Sequence, residues 1–333
     1  MIVRWFRFRP KLSKLLGISA GIVFVLLVLA YKPFSLRERF VPNPAESYEE
    51  ALARIEEIRS TEVDIPNIRP ECETILMTHG DKTDNVIVFL HGFTSCPDQF
   101  MALGEQYFNQ GYNVFIPRQP RHGLNELNGA PLKGLTAEEL AAFGTDIADI
   151  AQGLGERVIV VGLSGGGSIA TWLAQERADI DLAVTVAPFL GVGFIPRSLT
   201  RPVTNLILLI TDIYQWWDPV HEMSNPNSAP YSYRGYYLHA LFENLRLGFV
   251  AEEDAKQVKP AVGRILVITN AHDPSVNNEV VAEFEHLWLK HGEKFLQTFQ
   301  FEKTLLLPHD IITVTHPEAN INVVYPKLLE LIK

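Results

Sequence analysis

Val158-Ile159-Val160-Val161-Gly162-Leu163-Ser164-Gly165-Gly166-Gly167-Ser168 is a short β-branched run that stops at glycines bracketing a serine. A continuous apolar run of this kind suits a strand buried on both faces. The residues that follow, Ile169-Ala170-Thr171-Trp172-Leu173-Ala174, continue as a helix. Gly162-Leu163-Ser164-Gly165-Gly166 fits G-x-S-x-G, in which the serine occupies a strained strand-to-helix turn and its hydroxyl is exposed at the end of the sheet. Gly162, Ser164 and Gly167 also have the spacing of a dinucleotide fingerprint. That motif needs glycine at the middle position and an acid closing the next strand, whereas Ser164 stands in the middle and Asp179 and Asp181 precede the next apolar run.

Working outward, apolar runs at 74–78, 86–90, 114–116, 182–186, 265–269 and 298–307 read as strands. Residues 98–110, 136–152, 276–291 and 318–332 read as helices, and Ser47 with Glu50 starts a capped helix over 47–59. Strand and helix in alternation predict an α/β fold with a mainly parallel sheet covered on both faces. The chain divides into a basic segment 1–14, an apolar segment 15–31, a tether and leading helix 32–70, a core of 71–187 and 261–333, and an insertion 188–260. The insertion is too long for an ordinary connection and must form structure of its own. Within it the apolar run at 206–210 predicts a buried helix, since it is too short to span a bilayer. The aromatic residues Trp216, Trp217, Tyr231, Tyr233, Tyr236, Tyr237 and Phe242 suit either a small satellite core or a lid over an apolar pocket.

Leu15 to Tyr31 carries no charge and, as a helix, spans roughly 25 Å, near the lower limit for crossing a bilayer. Arg4, Arg7, Arg9, Lys11 and Lys14 precede it without an acid, so the positive-inside tendency predicts a cytoplasmic N-terminus and an extracytoplasmic body tethered to the membrane. A cleaved signal ending at Val28-Leu29-Ala30, giving a secreted protein, is the alternative. The formal net charge of −10 leaves the rest of the chain more acidic still, which disfavours nucleic acid as a partner. With 47% hydrophobic residues the chain is able to bury a large core. Two cysteines and ten histidines without H-E-x-x-H indicate no metal site, and no cofactor is expected.

A serine nucleophile needs a base, and the base a carboxylate to orient it. Asp273 follows the strand at 265–269 and His309 follows Leu305-Leu306-Leu307, so each stands at a strand's carboxyl end, where the groups of such sheets converge. The order Ser164, Asp273, His309 is that of parallel-sheet hydrolases. Asp98 or Asp310 is the fallback acid. The strand at 86–90 runs into His91-Gly92-Phe93, so the amides of Phe93 and Gly165 are the expected oxyanion donors. His91 is then a structural residue, while His272 and His316 are loop or surface residues. Cys72 and Cys96 come together if 74–78 pairs as an antiparallel edge with 86–90. A bridge there, persisting only in oxidising surroundings, would hold the oxyanion loop; the other reading is two buried thiols.

Taken together, His91-Gly92-Phe93-Thr94, Pro117 followed by Arg121-His122-Gly123, Gly162-Leu163-Ser164-Gly165-Gly166, Asp273 with Val276, and His309 resemble the α/β-hydrolase family. Within it they are most similar to the carboxylesterase and monoacylglycerol lipase branch. The resemblance implies an eight-stranded sheet, a helical cap inserted after the sixth strand, and hydrolysis of carboxylic esters through an acyl-enzyme. Residues 188–260 fall where the cap belongs. Pro308 before the histidine and Arg121 before His122-Gly123 depart from the branch's usual small residues. A medium-chain acyl ester or monoacylglycerol is the expected substrate. A thioesterase or amidase using the same three residues, or a non-catalytic protein binding an apolar ligand or partner at the membrane, is the alternative.

Overall fold

A computed structural model describes residues 10–226 and 228–333, the side chains of 10–14 and 16 excepted. In chain order the elements are α1 (Pro10–Ala30), α2 (Tyr48–Asp64), β1 (Ile75–Met77), β2 (Thr83–Leu90), α3 (Met101–Phe108) and β3 (Asn113–Ile116). There follow α4 (Ala137–Leu154), β4 (Gly155–Leu163), α5 (Gly165–Glu176) and β5 (Leu182–Val186). The insertion holds α6 (Arg197–Ile207), β6 (Tyr214–Trp216), β7 (Gly235–Tyr237) and α7 (Leu238–Ala255). Then come β8 (Arg264–Asn270), α8 (Asn278–Leu289), β9 (Leu296–Phe301) and α9 (Ile321–Leu331).

Among the described residues the main sheet has seven strands in the order β1-β3-β2-β4-β5-β8-β9, one fewer than the eight expected. All pairings are parallel except that of β1, which lies antiparallel to β3. The strands are buried on both faces by alternation along each chain. Val86, Val88, Leu90, Val158 and Val160 face a core shared with α4, α5, α7 and α8. Ile87, Phe89, Ile159, Val161 and Leu163 face the opposite core, closed by α3 and α9. The run at 298–307 is not one strand: β9 ends at Phe301, and a 3-10 turn over Lys303–Leu305 carries the chain to the sheet's end.

The cap is mixed rather than helical, because β6 and β7 form a two-stranded antiparallel hairpin. Helix α7 leaves it to pack beside α5 in the helical layer. The run at 206–210 ends α6 instead of forming a buried helix; Leu209 and Ile210 are exposed. Helix α2 starts as expected, with the Ser47 hydroxyl accepting from the Glu50 amide, but continues to Asp64. Its last turn delivers Glu62, which accepts from the Thr74 amide (3.0 Å), the Thr74 hydroxyl (2.8 Å) and Arg118 Nε (2.9 Å). Such a buried, fully bonded ion pair ties the leading helix to the loop after β3.

The expected membrane anchor is overturned. Among the described residues no helix is long and apolar enough to cross a membrane, and the placement of the body on its far side falls with that expectation. The uncharged run, roughly 25 Å as a helix, falls short of the roughly 30 Å hydrocarbon core. The carboxyl end of α1 is instead tied to the cap: Asn205 Nδ2 donates to the carbonyls of Ala30 and Lys32, each at 3.0 Å. Phe34 then stacks on Phe249 of α7 at 5.1 Å. Of the basic residues on which the orientation rested, Arg4, Arg7 and Arg9 lie outside the described residues, as do the side chains of Lys11 and Lys14.

Candidate active site

The turn between β4 and α5 holds Ser164 at φ 54° and ψ −113°, a strained conformation for a side-chain-bearing residue. The flanking glycines are required by space. A Cβ on Gly162 would come within 2.1 Å of the Gly166 carbonyl oxygen, and one on Gly166 within 2.0 Å of the Leu90 carbonyl oxygen. With those contacts open, the turn is tight enough to aim the serine hydroxyl out of the sheet from the amino end of α5.

His309 Nε2 lies 2.8 Å from Ser164 Oγ, and its Nδ1 lies 2.7 Å from Asp273 Oδ2. The Asp273 carboxylate is buried, and its Oδ1 accepts from the amides of Ser275 (2.8 Å) and Val276 (3.3 Å). An acceptor at Nδ1 places the imidazole proton there and leaves the Nε2 lone pair facing the hydroxyl. Burial by itself lowers the His309 pKa, but the charge of Asp273 and its hydrogen bond outweigh it, and the net effect is a rise above the ordinary imidazole value. The fold thus brings Ser164, Asp273 and His309 together from three loops at the carboxyl end of the sheet.

The expected oxyanion amides are neighbours as well. Gly165 is the first residue of α5, where an amide has no intrahelical acceptor, and a Cβ built on it would sit 2.9 Å from Phe93 N. Developing negative charge there also meets the positive end of the α5 dipole. His91 is buried with Nε2 accepting from the Gln119 amide (3.1 Å), so its Nδ1 donates to the Gly92 carbonyl (3.0 Å). Burial, with lesser contributions from His122 and Arg118, pushes it well below the usual imidazole value and keeps it neutral. His122 is lowered by burial to about 4 and accepts from the Thr94 amide at 3.2 Å. His272 and His316 are loop residues on the cavity's lining and do not bond the serine.

Neither fallback acid reaches the imidazole. Asp310 instead accepts from Gln99 Nε2 (2.8 Å) and the Thr313 hydroxyl (2.6 Å). Asp98 lies in the 3-10 turn Pro97–Phe100, its pKa raised by burial and by Glu71. Cys72 and Cys96 are joined by a disulfide with Cα atoms 5.2 Å apart. The geometry that joins them differs from the expected one, since β1 pairs with β3 and not with β2. The bridge instead links the turns Pro70–Cys72 and Pro97–Phe100, and Ala229 and Tyr231 of the cap pack on it.

Ser164 opens into a cavity of about 760 Å³ between sheet and cap. Leu163, Phe189, Val192, Tyr236, Leu241 and Phe242 supply apolar lining, and Gln99, Ser232, Asp310 and Glu318 supply polar lining. The cap rests on the loop after β2: Trp217 Nε1 donates to Thr94 Oγ1 (3.0 Å), and the Phe93 ring meets Tyr236 edge-on at 5.9 Å. Sequence reasoning missed Gln99 and Asn244. The latter, buried on α7, sends Nδ2 towards the Gly165 carbonyl (3.4 Å), and no local pattern marks it. Among the described residues no three His, Cys, Asp or Glu side chains stand close enough to hold a metal ion.

A model of the alpha/beta hydrolase family matches residues 87–304, most of the sheet with the serine turn and the aspartate included. The chain belongs to the α/β-hydrolase family. A thermostable monoacylglycerol lipase from Bacillus sp. (strain H-257) is 29% identical over 129 residues, covering 34% of this chain and 48% of that protein. The chain therefore spans about half the length of this curated relative. Solved structures with the same fold include a metagenome-derived lipolytic enzyme (TM-score 0.60, 18% identity, covering 80% of this chain and 99% of that one). The monoacylglycerol lipase of Paleococcus ferrophilus gives a TM-score of 0.59 at 15% identity, covering 78% of this hydrolase and 97% of that chain. A soluble variant of monoglyceride lipase from Saccharomyces cerevisiae gives 0.56 at 14% identity, covering 78% and 89%.

Proposed function

We propose that this α/β-hydrolase is a serine esterase that cleaves carboxylic esters of medium-chain acyl or monoacylglycerol type through an acyl-enzyme. The carrying observation is the relay from Ser164 Oγ through His309 to Asp273, at 2.8 and 2.7 Å, on the wall of a largely apolar cavity. His309 takes the serine proton as Oγ attacks the ester carbonyl, and Asp273 stabilises the imidazolium that results. The carbonyl oxygen, now anionic, accepts from the amides of Phe93 and Gly165. Collapse expels the alcohol, protonated by His309, and leaves the acyl group on Ser164. Water then enters, gives its proton to the same imidazole and releases the acid.

The mixed lining of the cavity supports the substrate class. An acyl chain suits Phe189, Val192, Leu241 and Phe242, and a polyol leaving group suits polar lining residues such as Gln99 and Ser232. The name of the Bacillus relative is consistent with such a substrate. The test is turnover of p-nitrophenyl esters from acetate to decanoate, of monoacylglycerols and of acyl thioesters and amides, with fluorophosphonate labelling alongside. Ser164→Ala is expected to remove both turnover and labelling from a folded protein. Labelling that persists in Ser164→Ala refutes the nucleophile, and efficiency that falls steadily from acetate to decanoate refutes the acyl-chain reading.

A further inference from the structure

We propose that Gln99 is a positioning residue for ester cleavage, a strut that sets the distance between the oxyanion amides and the histidine that serves them. Gln99 is 5% exposed, belongs to the turn Pro97–Phe100 and reaches the cavity lining. Its Oε1 accepts from the Gly92 amide at 2.7 Å, and its Nε2 donates to Asp310 Oδ2 at 2.8 Å. These partners fix the orientation of the amide, because an amide hydrogen needs the oxygen and a carboxylate needs the nitrogen. Gly92 immediately precedes Phe93, whose amide faces the oxyanion, and Asp310 immediately follows His309. One short, buried side chain therefore ties the oxyanion loop to the histidine loop across the cleft where the tetrahedral carbon forms.

Both ends of the strut are themselves held. Asp310 Oδ1 accepts from the amides of Ile312 (3.3 Å) and Thr313 (3.1 Å), and Oδ2 also accepts from the Thr313 hydroxyl at 2.6 Å, so the carboxylate cannot swing. On the other side the Gln99 amide donates to the Cys96 carbonyl at 3.0 Å, and Cys96 is bonded to Cys72. The acid beside the catalytic histidine, whose imidazole it does not touch, thus gains a role as the anchor of Gln99. The disulfide acquires one as the foundation of the turn that carries it. Misplacing reacting groups by about 1 Å costs on the order of a hundredfold in rate, which is the scale a positioning residue can control.

This inference rests on the hydrolase reading, and the test separates the two. Gln99→Glu keeps the acceptor for Gly92 but sets a carboxylate against Asp310; Asp310→Asn keeps the backbone amide bonds from Ile312 and Thr313 to the side-chain oxygen but turns an NH2 group towards that of Gln99 and makes the Thr313 hydroxyl an acceptor. In the double variant the amide introduced at position 310 donates to the carboxylate introduced at position 99, and the strut is restored with its polarity reversed. Each single variant is expected to lower kcat about 10- to 100-fold on p-nitrophenyl butyrate with KM within about threefold, and the double variant to recover to within about fivefold of wild type. Losses that simply add in the double variant overturn the proposal. Gln99→Asn, one methylene shorter, retains both kinds of group but spans to only one partner, and it too is expected to lose kcat while KM holds. Fluorophosphonate labelling counts the folded, competent sites in every variant: a kcat that falls only in proportion to that count makes Gln99 merely structural and overturns the strut. Wild-type protein without any turnover counts against the hydrolase reading, whereas unchanged kcat in Gln99 variants of an active enzyme counts against the strut alone.

Discussion

Replacing Asp273 by Asn tests the relay at the point where the structure dictates the outcome. Oδ1 of Asp273 accepts two backbone amides, those of Ser275 and Val276, at 2.8 and 3.3 Å. In Asp273→Asn the side-chain oxygen must remain with those amides, since turning the NH2 group towards them would set donor against donor at both bonds. The NH2 group is then forced onto His309 Nδ1, which becomes an acceptor. The imidazole proton moves to Nε2, 2.8 Å from Ser164 Oγ, where the base should have a lone pair. A wrong tautomer of this kind costs about 10⁴ in kcat, roughly 5.5 kcal/mol of transition-state stabilisation. Loss of the carboxylate charge also removes the larger of the influences that raise the His309 pKa, and burial is then opposed only by the charge of Asp310. Wild-type activity is expected to rise with pH through a midpoint above the ordinary imidazole value, as the protonated base loses its proton. In Asp273→Asn the residual activity is expected to rise at lower pH. The assay is kcat/KM on p-nitrophenyl butyrate across the pH range, with thermal melts to show an intact fold. A variant within about tenfold of wild type, or one whose acid limb does not move, refutes the reasoning.

Three further outcomes follow from the same geometry. Replacing Cys72 and Cys96 by Ala releases a loop with a sequence separation of 24 and is expected to cost roughly 3–4 kcal/mol in denaturant melts; two titratable thiols in denatured, unreduced protein would contradict the bridge itself. Gly166→Ala puts a methyl group 2.0 Å from the Leu90 carbonyl, so β2 and α5 must separate, and a loss of about 3 kcal/mol or more is expected; an unchanged urea midpoint would show the turn to be more accommodating than its contacts imply. Tyr236→Ala removes a ring that packs on Phe93 and Trp217 and lines the cavity, and is expected to raise KM for decanoate about tenfold with little change for acetate, a contrast read from the chain-length series.

Those features carried by neighbours along the chain were legible without a structure. The run Val158–Val161 ending at Gly162-Leu163-Ser164-Gly165-Gly166 announces a buried strand, a tight turn and a helix because steric demands on a turn act over a few residues. Asp273 and His309 could be named because each follows a strand whose carboxyl end opens on the same edge of a parallel sheet. That their atoms lie 2.7–2.8 Å apart in one relay is a property of the assembled sheet. Pairing across the chain was less legible. That the edge strand β1 lies beside β3 was not legible because a three-residue strand carries too little pattern to identify its partner, and the split of 298–307 into β9 and a turn rests on where the sheet ends. Hydropathy also favoured a membrane span at 15–31, since it measures composition and is blind to the contacts that seat Ala30 and Lys32 on Asn205. Gln99 and Asp310, 211 residues apart, form the limiting case. Glutamine has no motif, and only a fold that carries the oxyanion and histidine loops to opposite ends of one amide turns it into a candidate for the reaction.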